Sequence, residues 1–241
     1  MSLNTRETAP AGLLHAIRLI THDCVRIQAS DGTVVYIDPY DMPAAAHDGS
    51  LILVTHDHFD HFSPEDIEKA AAPGARIVAP FSLGSQASKL AETLGASGLH
   101  LLNPGGYLGS GALGTPAVEI RATHAFNIGK PYHPAENQWL GYVITVDGVR
   151  IFHPGDADRT PENEHVVCDV LLVPVGGTYT MDAEEAVGFT LSVRPRIAVP
   201  MHYGTVAGDP GDGEHFAQLL EDAQAASPAP IPAAVIMGLQ S

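Results

Sequence analysis

The chain has 241 residues, 24 of them glycine and 19 proline, with a formal net charge of −16. That length suits one large domain or two small ones, and a hydrophobic fraction of 45% supports a sizeable core. An acidic surface without any basic run repels phosphate backbones and anionic lipid, so nucleic acid and membrane are excluded as partners and a small-molecule substrate is expected. There is no apolar run of about 18 residues to span a bilayer. The first ten residues, MSLNTRETAP, contain no apolar signal core. The expectation is a cytoplasmic protein with a loose tail over residues 1–12 and a single domain over residues 13–241. A homo-oligomer is compatible with the sequence but not specified by it. Cys24 and Cys168 form neither a disulfide framework nor a C-x-x-C zinc pair.

Taken in order, residues 13–20 and 24–30 read as strands. An Asp31-Gly32 turn then leads into TVVYIDP, a strong hairpin signal. LILV (51–54) has the continuous apolar character of a strand buried on both faces and runs directly into THDHFDH. Ser63 is placed to cap a helix whose first residue is Pro64, followed by Glu65 and Asp66 near its positive end. A strand over 75–80 and a helix over 82–95 ending at Gly95 come next. Residues 118–124 form a strand ending at His124. Residues 139–156 form a hairpin turning at Asp147-Gly148 and ending at Asp156. A strand over 169–175, a helix over 182–193 and a strand over 196–202 ending at His202 follow, then a helix over 213–225 and a last strand over 233–237. Several strands thus end in a histidine or an aspartate. Layered α/β folds gather sites at strand ends, because a rigid sheet presents the residues of the loops there.

There are 13 histidines against 12 lysines and arginines. His56-x-His58-x-Asp60-His61 puts three imidazoles and a carboxylate in six residues, directly after a buried strand. An exposed polar loop accounts for a lone histidine but poorly for this density. In extended chain, residues i and i+2 point the same way, so His56 and His58 can share one ion. Asp60 and His61, beyond the turn, can face another. Two ions about 3.5–4 Å apart can clamp a hydrolytic transition state.

THDHFDH resembles the signature of the metallo-β-lactamase superfamily, and the likeness extends from Asp38-Pro39 to Met201-His202-Tyr203-Gly204. The resemblance implies an α/β fold, a four-layer αββα sandwich of two mixed β-sheets flanked by helices. It implies that His56, His58 and His124 hold one divalent ion and Asp60, His61 and His202 a second, with Asp156 bridging them. Zinc is the first expectation for both, and N/O ligand sets also accept manganese or iron. VYIDPY, LLVPVGGTYTMDAEEA and VPMHYG are similar to a compact subgroup that includes the L-ascorbate-6-phosphate lactonase. The implied activity is hydrolysis of a small anionic ester or lactone by a hydroxide shared between two metals, with Asp60 orienting it or taking its proton. Two divalent ions less two carboxylates and a hydroxide leave about +1 at the site, which favours an anion. A phosphodiesterase of the same fold and a non-catalytic metal-binding or sensing protein are the alternatives.

Around this set, His22 is expected near the site, and Asp38 is expected to orient a ligating histidine through its second ring nitrogen. Lys130 and His133, in the polar segment 126–139, and Tyr179 are expected to contact substrate. The Gly176-Gly177-Thr178-Tyr179 turn offers backbone N–H groups for an anion. His153, adjoining the Gly155-Asp156 motif, is expected either to support a ligand from behind or to be structural.

Overall fold

A computed structural model describes residues 16–226 and 232–237. Residues 1–12, expected as a tail, and His15 lie outside the described residues.

Two mixed sheets form the frame. The first contains β1 (Ile17–Thr21), β2 (Cys24–Gln28), β3 (Val34–Ile37), β4 (Gly49–Leu53), β5 (Ala71–Pro80) and β6 (Gly98–Leu102), side by side in chain order. Its first three strands are antiparallel and the rest parallel. The second contains β7 (Tyr107–Leu108), β8 (Val118–His124), β9 (Leu140–Val146), β10 (Val149–His153), β11 (Val170–Pro174), β12 (Ile197–Met201) and β13 (Ala233–Ala234), also in chain order. Here β7 to β10 are antiparallel and β10 to β13 parallel.

The sequence pattern explains this layering. Alternate residues of a strand face opposite ways. Val25, Ile27, Val35, Ile37, Leu51 and Leu53 of the first sheet meet Ile120, Tyr142, Ile144, Val170, Leu172 and Val199 of the second in one buried core. The other face of the first sheet, with Tyr36, Ile52 and Ile77, is covered by α1 (Pro64–Ala70) and α2 (Gly84–Leu94). The other face of the second, with Phe152, Leu171 and Val173, is covered by α4 (Ala183–Val193) and α5 (Asp212–Ala226), after a short α3 (Ser110–Leu113). The result is the four-layer αββα sandwich.

The caps follow the local sequence. The Ser63 hydroxyl accepts from the Asp66 N–H, with Pro64 in the first turn of α1. Gly95 ends α2 in the left-handed conformation. Asp182 and Glu185 form a capping box at α4. Three elements have no counterpart in the pattern reading: β6, β7 and α3. β6 is half-buried along most of its length, and β7 and α3 are too short to show a period. The final strand covers only Ala233–Ala234 rather than 233–237. Both cysteines are free and buried, and burial pushes their thiols up to about 12. No helix among the described residues is long and apolar enough to cross a membrane.

Candidate metal centre

The loops that leave the strands at one edge of the sandwich bring a cluster of imidazoles and carboxylates together. Beyond β4, Val54 N–H donates to the Val78 carbonyl at 2.9 Å, and the Val54 carbonyl accepts from the Tyr142 hydroxyl at 2.6 Å. These bonds carry the sheet up to Thr55 and hold His56 at its rim. The chain then turns: the His58 carbonyl accepts from the N–H groups of His61 (3.0 Å) and Phe62 (2.8 Å). This turn delivers four polar side chains within one short loop before α1 begins.

Asp38, just past β3, organises the loop. Its carboxylate accepts from Thr55 N–H (2.8 Å), Thr55 Oγ1 (2.6 Å) and His61 Nδ1 (2.8 Å). The Thr55 hydroxyl in turn lies 2.9 Å from His56 Nδ1. Partners at the Nδ1 atoms of both rings leave the Nε2 atoms facing inward, the arrangement that orients metal-bound histidines. His22 Nδ1 lies 3.0 Å from Thr205 Oγ1, and His202 Nδ1 lies 3.5 Å from Thr180 Oγ1.

Three groups of side chains can each converge on one ion: His56, His58 and His133; His22, Asp60, His61 and His202; and Asp23, His61, Asp156 and His202. Asp156, a member of the third group, also reaches the first. Its Oδ2 is 3.2 Å from His133 Nε2 and 3.0 Å from His202 Nε2, and its Oδ1 is 3.3 Å from His61 Nε2. Asp60 Oδ2 is 3.3 Å from His22 Nε2.

The electrostatics are those of a buried mixed-charge cluster. Burial opposes ionisation of Asp156, but the charges of His202 and His61 and the close approach of His133 outweigh it and hold the carboxyl well below its usual range. Burial likewise disfavours the charged form of His202, yet Asp156 and Asp23 raise it to about 9. Burial, reinforced by neighbouring imidazoles, keeps His56 and His58 low and therefore neutral, the state in which a ring nitrogen can bind metal. Burial raises Asp23 to about 7.

The residues fit divalent ions. Eight buried side-chain nitrogens and oxygens among the described residues lack a hydrogen-bond partner. Six of them belong to this cluster: His22 Nε2, both Asp23 oxygens, His61 Nε2, His133 Nε2 and Asp156 Oδ1. Native interiors rarely leave such atoms unmatched unless an ion or water completes them. The donor set of imidazole and carboxylate suits zinc, manganese or iron. Backbone strain is concentrated here too. Ten described non-glycine residues have positive φ, and His22, Asp38, His133 and His202 are four of them. Each such conformation costs about 1–3 kcal/mol, a pattern common where geometry serves a site.

The structure places most expected residues together, and two stand apart from the positions expected of them. His124 belongs to none of the three groups, and its ring packs edge-on to Phe126 at 6.1 Å. His133, expected to contact substrate, stands beside His56 and His58. The cause is the loop after β8, which doubles back. Asn127 N–H donates to the His133 carbonyl (2.9 Å), and Asn127 Nδ2 lies 3.2 Å from His133 Nδ1 while donating to the Tyr179 carbonyl. The loop rather than the strand end therefore brings an imidazole beside His56 and His58. His22, expected as a supporting neighbour, sits among the potential ligands, and Asp23 beside it was not foreseen. The tripeptide Thr-His-Asp occurs at 21–23 as well as at 55–57, the one signal that points to it. His153 is buried with Nε2 3.2 Å from the Asp23 carbonyl, a structural role.

Lys130 is the second of these residues. Its ammonium is committed to Asp158 Oδ1 (2.5 Å) and the Thr180 carbonyl (2.6 Å), which ties the 126–139 loop to its neighbours. Lys130→Ala is therefore expected to lower stability by about 1–3 kcal/mol, the range for hydrogen bonds to charged groups. KM should stay unchanged. Chemical denaturation beside steady-state kinetics checks this, and a KM effect at unchanged stability would restore the substrate contact. The glycine turn is also used internally: the N–H groups of Gly177, Tyr179 and Thr180 bond within the turn. Gly176 is required for space, because a Cβ there would fall 2.1 Å from the His202 carbonyl oxygen.

Comparison with known proteins places the chain in a family. The profile of the Beta-lactamase superfamily domain matches residues 16–202. A UPF0173 metal-dependent hydrolase of Thermococcus kodakarensis is 33% identical over 218 residues, covering 86% of this chain and 92% of that protein. One from Aeropyrum pernix is 32% identical over 217 residues, covering 83% and 87%. Among solved structures, the metallo hydrolase Igni18 of Ignicoccus hospitalis is 25% identical, with a TM-score of 0.74 over 93% of this chain and 95% of that one. The chain therefore belongs to the metallo-β-lactamase superfamily and, within it, to the UPF0173 metal-dependent hydrolase family.

Proposed function

We propose that this protein hydrolyses small esters or lactones with two divalent ions. His56, His58 and His133 hold one, while Asp60, His61 and His202, assisted by His22, hold the other. Asp156 lies between them. The observation that carries this reading is the position of the Asp156 carboxylate, whose Oδ2 lies within 3.2 Å of an imidazole from each group. When bound, such ions lower the pKa of water and polarise a carbonyl oxygen.

The chain's own residues supply orientation and proton handling. Asp38 and Thr55 fix the rings of His61 and His56. Asp60 is held below its usual range: burial opposes ionisation, but the close approach of His22 and the charge of His61 outweigh it. Its side chain is more exposed than that of Asp156, 10% against 3%. Asp60 is therefore the carboxylate placed to accept the proton of the attacking water at Oδ2. The lactone part of the reading is supported by the likeness of LLVPVGGTYTMDAEEA and VPMHYG to the lactonase subgroup.

The test uses a built-in reporter. Trp139 is the only tryptophan, and its ring lies 4.8, 5.0 and 5.5 Å from those of His56, His58 and His133. Adding Zn²⁺ or Mn²⁺ to chelator-treated protein should change its fluorescence, saturating at about two ions per chain by elemental analysis. Metal-dependent turnover should follow for p-nitrophenyl acetate and a γ-lactone ahead of bis(p-nitrophenyl) phosphate. Failure to bind metal sinks the proposal. Faster phosphodiester turnover reassigns the chemistry, and metal binding without turnover of any of the three identifies a metal-binding protein.

A further inference from the structure

Resting on the hydrolase reading above, we infer that the substrate carries a neutral, apolar acyl or alcohol group that lies against a rim of exposed hydrophobic side chains around the metal edge.

Nine large hydrophobic side chains are exposed among the described residues, and five stand on the loops of this edge: Phe59, Ile128, Tyr132, Tyr179 and Val206. Single exposed hydrophobics are ordinary, but their gathering at one site marks a recognition surface. Phe59, 66% exposed, lies between His58 and Asp60 in sequence. Its ring meets Tyr40 edge-on at 5.8 Å, and Tyr40 in turn lies 6.4 Å from the His22 ring. Tyr132, next to His133, packs edge-on with Tyr179 at 4.8 Å. Val206 follows Thr205, whose hydroxyl holds His22. The two aromatic pairs thus stand beside members of both ligand groups.

The same loops offer an anion nothing to pair with. Over residues 21–23, 38–41, 54–63, 124–139, 154–160, 175–182 and 202–212, the only lysine or arginine residues are Lys130 and Arg159. Lys130 is held by Asp158, and Arg159 is held by Glu164 through Nε (2.8 Å) and Nη2 (2.7 Å). Asp41 and Asp57 are exposed on those loops and repel negative charge. The anionic substrate expected from the charge of the metals alone is therefore opposed by the protein around them. A partner surface spread over a wider area would not need to centre on the ligand loops, whereas a small substrate must.

Two parallel measurements test this on the metal-loaded protein. Ligand-detected NMR compares binding of acetamide, hexanamide and succinamate. Steady-state kinetics compares the matching p-nitrophenyl acetate, hexanoate and hemisuccinate. Four added methylenes should strengthen binding and raise kcat/KM by about tenfold to two-hundredfold, the upper figure corresponding to about 0.8 kcal/mol per buried methylene. The succinyl compounds should not gain. Phe59→Ala and Tyr179→Ala should each flatten the chain-length dependence while metal still changes Trp139 fluorescence. Equal or tighter binding of succinamate, or full preference retained in both variants, overturns the inference. So does a dimer by light scattering that Phe59→Ala dissociates, since the rim is then a subunit contact. Turnover without chain-length preference leaves the hydrolase reading standing and removes the rim. Preferential hexanamide binding without turnover of any ester does the reverse.

Discussion

Asp156→Ala should lower kcat/KM by about a thousandfold or more, equivalent to about 4 kcal/mol of barrier, and should strip at least one of the two ions. Among the described residues, Asp156 is the carboxylate that lies within 3.2 Å of an imidazole from each group. Its oxygens lie 3.0 to 3.3 Å from His61, His133 and His202. Elemental analysis and single-turnover kinetics read the result, and full two-ion affinity in the variant would show that Asp156 is not shared. The same substitution should alter pH dependence of the chelator-treated protein. His202 is raised to about 9 by Asp156 and Asp23 against the effect of burial. Its stabilising charge is fully present below the unfolded histidine value of about 6.5. It is lost as pH rises through about 9. Wild-type protein should therefore be less stable to urea at high pH than near pH 6, and Asp156→Ala should reduce that difference.

The second large effect separates two histidines that the sequence alone ranks the other way. His133→Ala should cut kcat/KM by about a hundredfold or more, about 2.7 kcal/mol, with loss of the ion held by His56 and His58. His124→Ala should stay within about threefold. The basis is that His133 joins the first ligand group while His124 packs edge-on to Phe126. Metal analysis of both variants decides it: an ion lost from His124→Ala and kept in His133→Ala would reverse the assignment. Trp139 fluorescence gives a second readout, because the indole is 5.5 Å from the His133 ring.

Much of this centre was legible from local sequence because local rules produce it. A buried run at 51–54 ends where the first sheet stops, so His56 and His58 must emerge at its rim. Asp31-Gly32 and Asp147-Gly148 fix hairpins, and Ser63-Pro64 starts a helix, through short-range backbone chemistry. Strand-end placement of Asp156 and His202 follows from the same period-two burial that builds the inter-sheet core.

Tertiary structure decided the rest. A ligand at a strand end can be read from its strand, but the path of a 15-residue connection between β8 and β9 depends on what grips it. Asp158, Tyr179 and Thr180, from positions far apart in sequence, provide that grip through Asn127 and Lys130 of the loop, so His133 stands beside His56 and His58 and the Lys130 ammonium is tied to Asp158. Asp23 shows the same limit: its carboxylate matters only because the β1–β2 turn is brought against His61 and His202 from the far ends of the chain. The sequence by itself determined which strands form, where they stop and which motif stands at the rim, since each follows from neighbours a few residues away. Which imidazole stands beside His56 and His58, and which carboxylate pairs with Lys130, depend on contacts across long sequence separations, which no local pattern encodes.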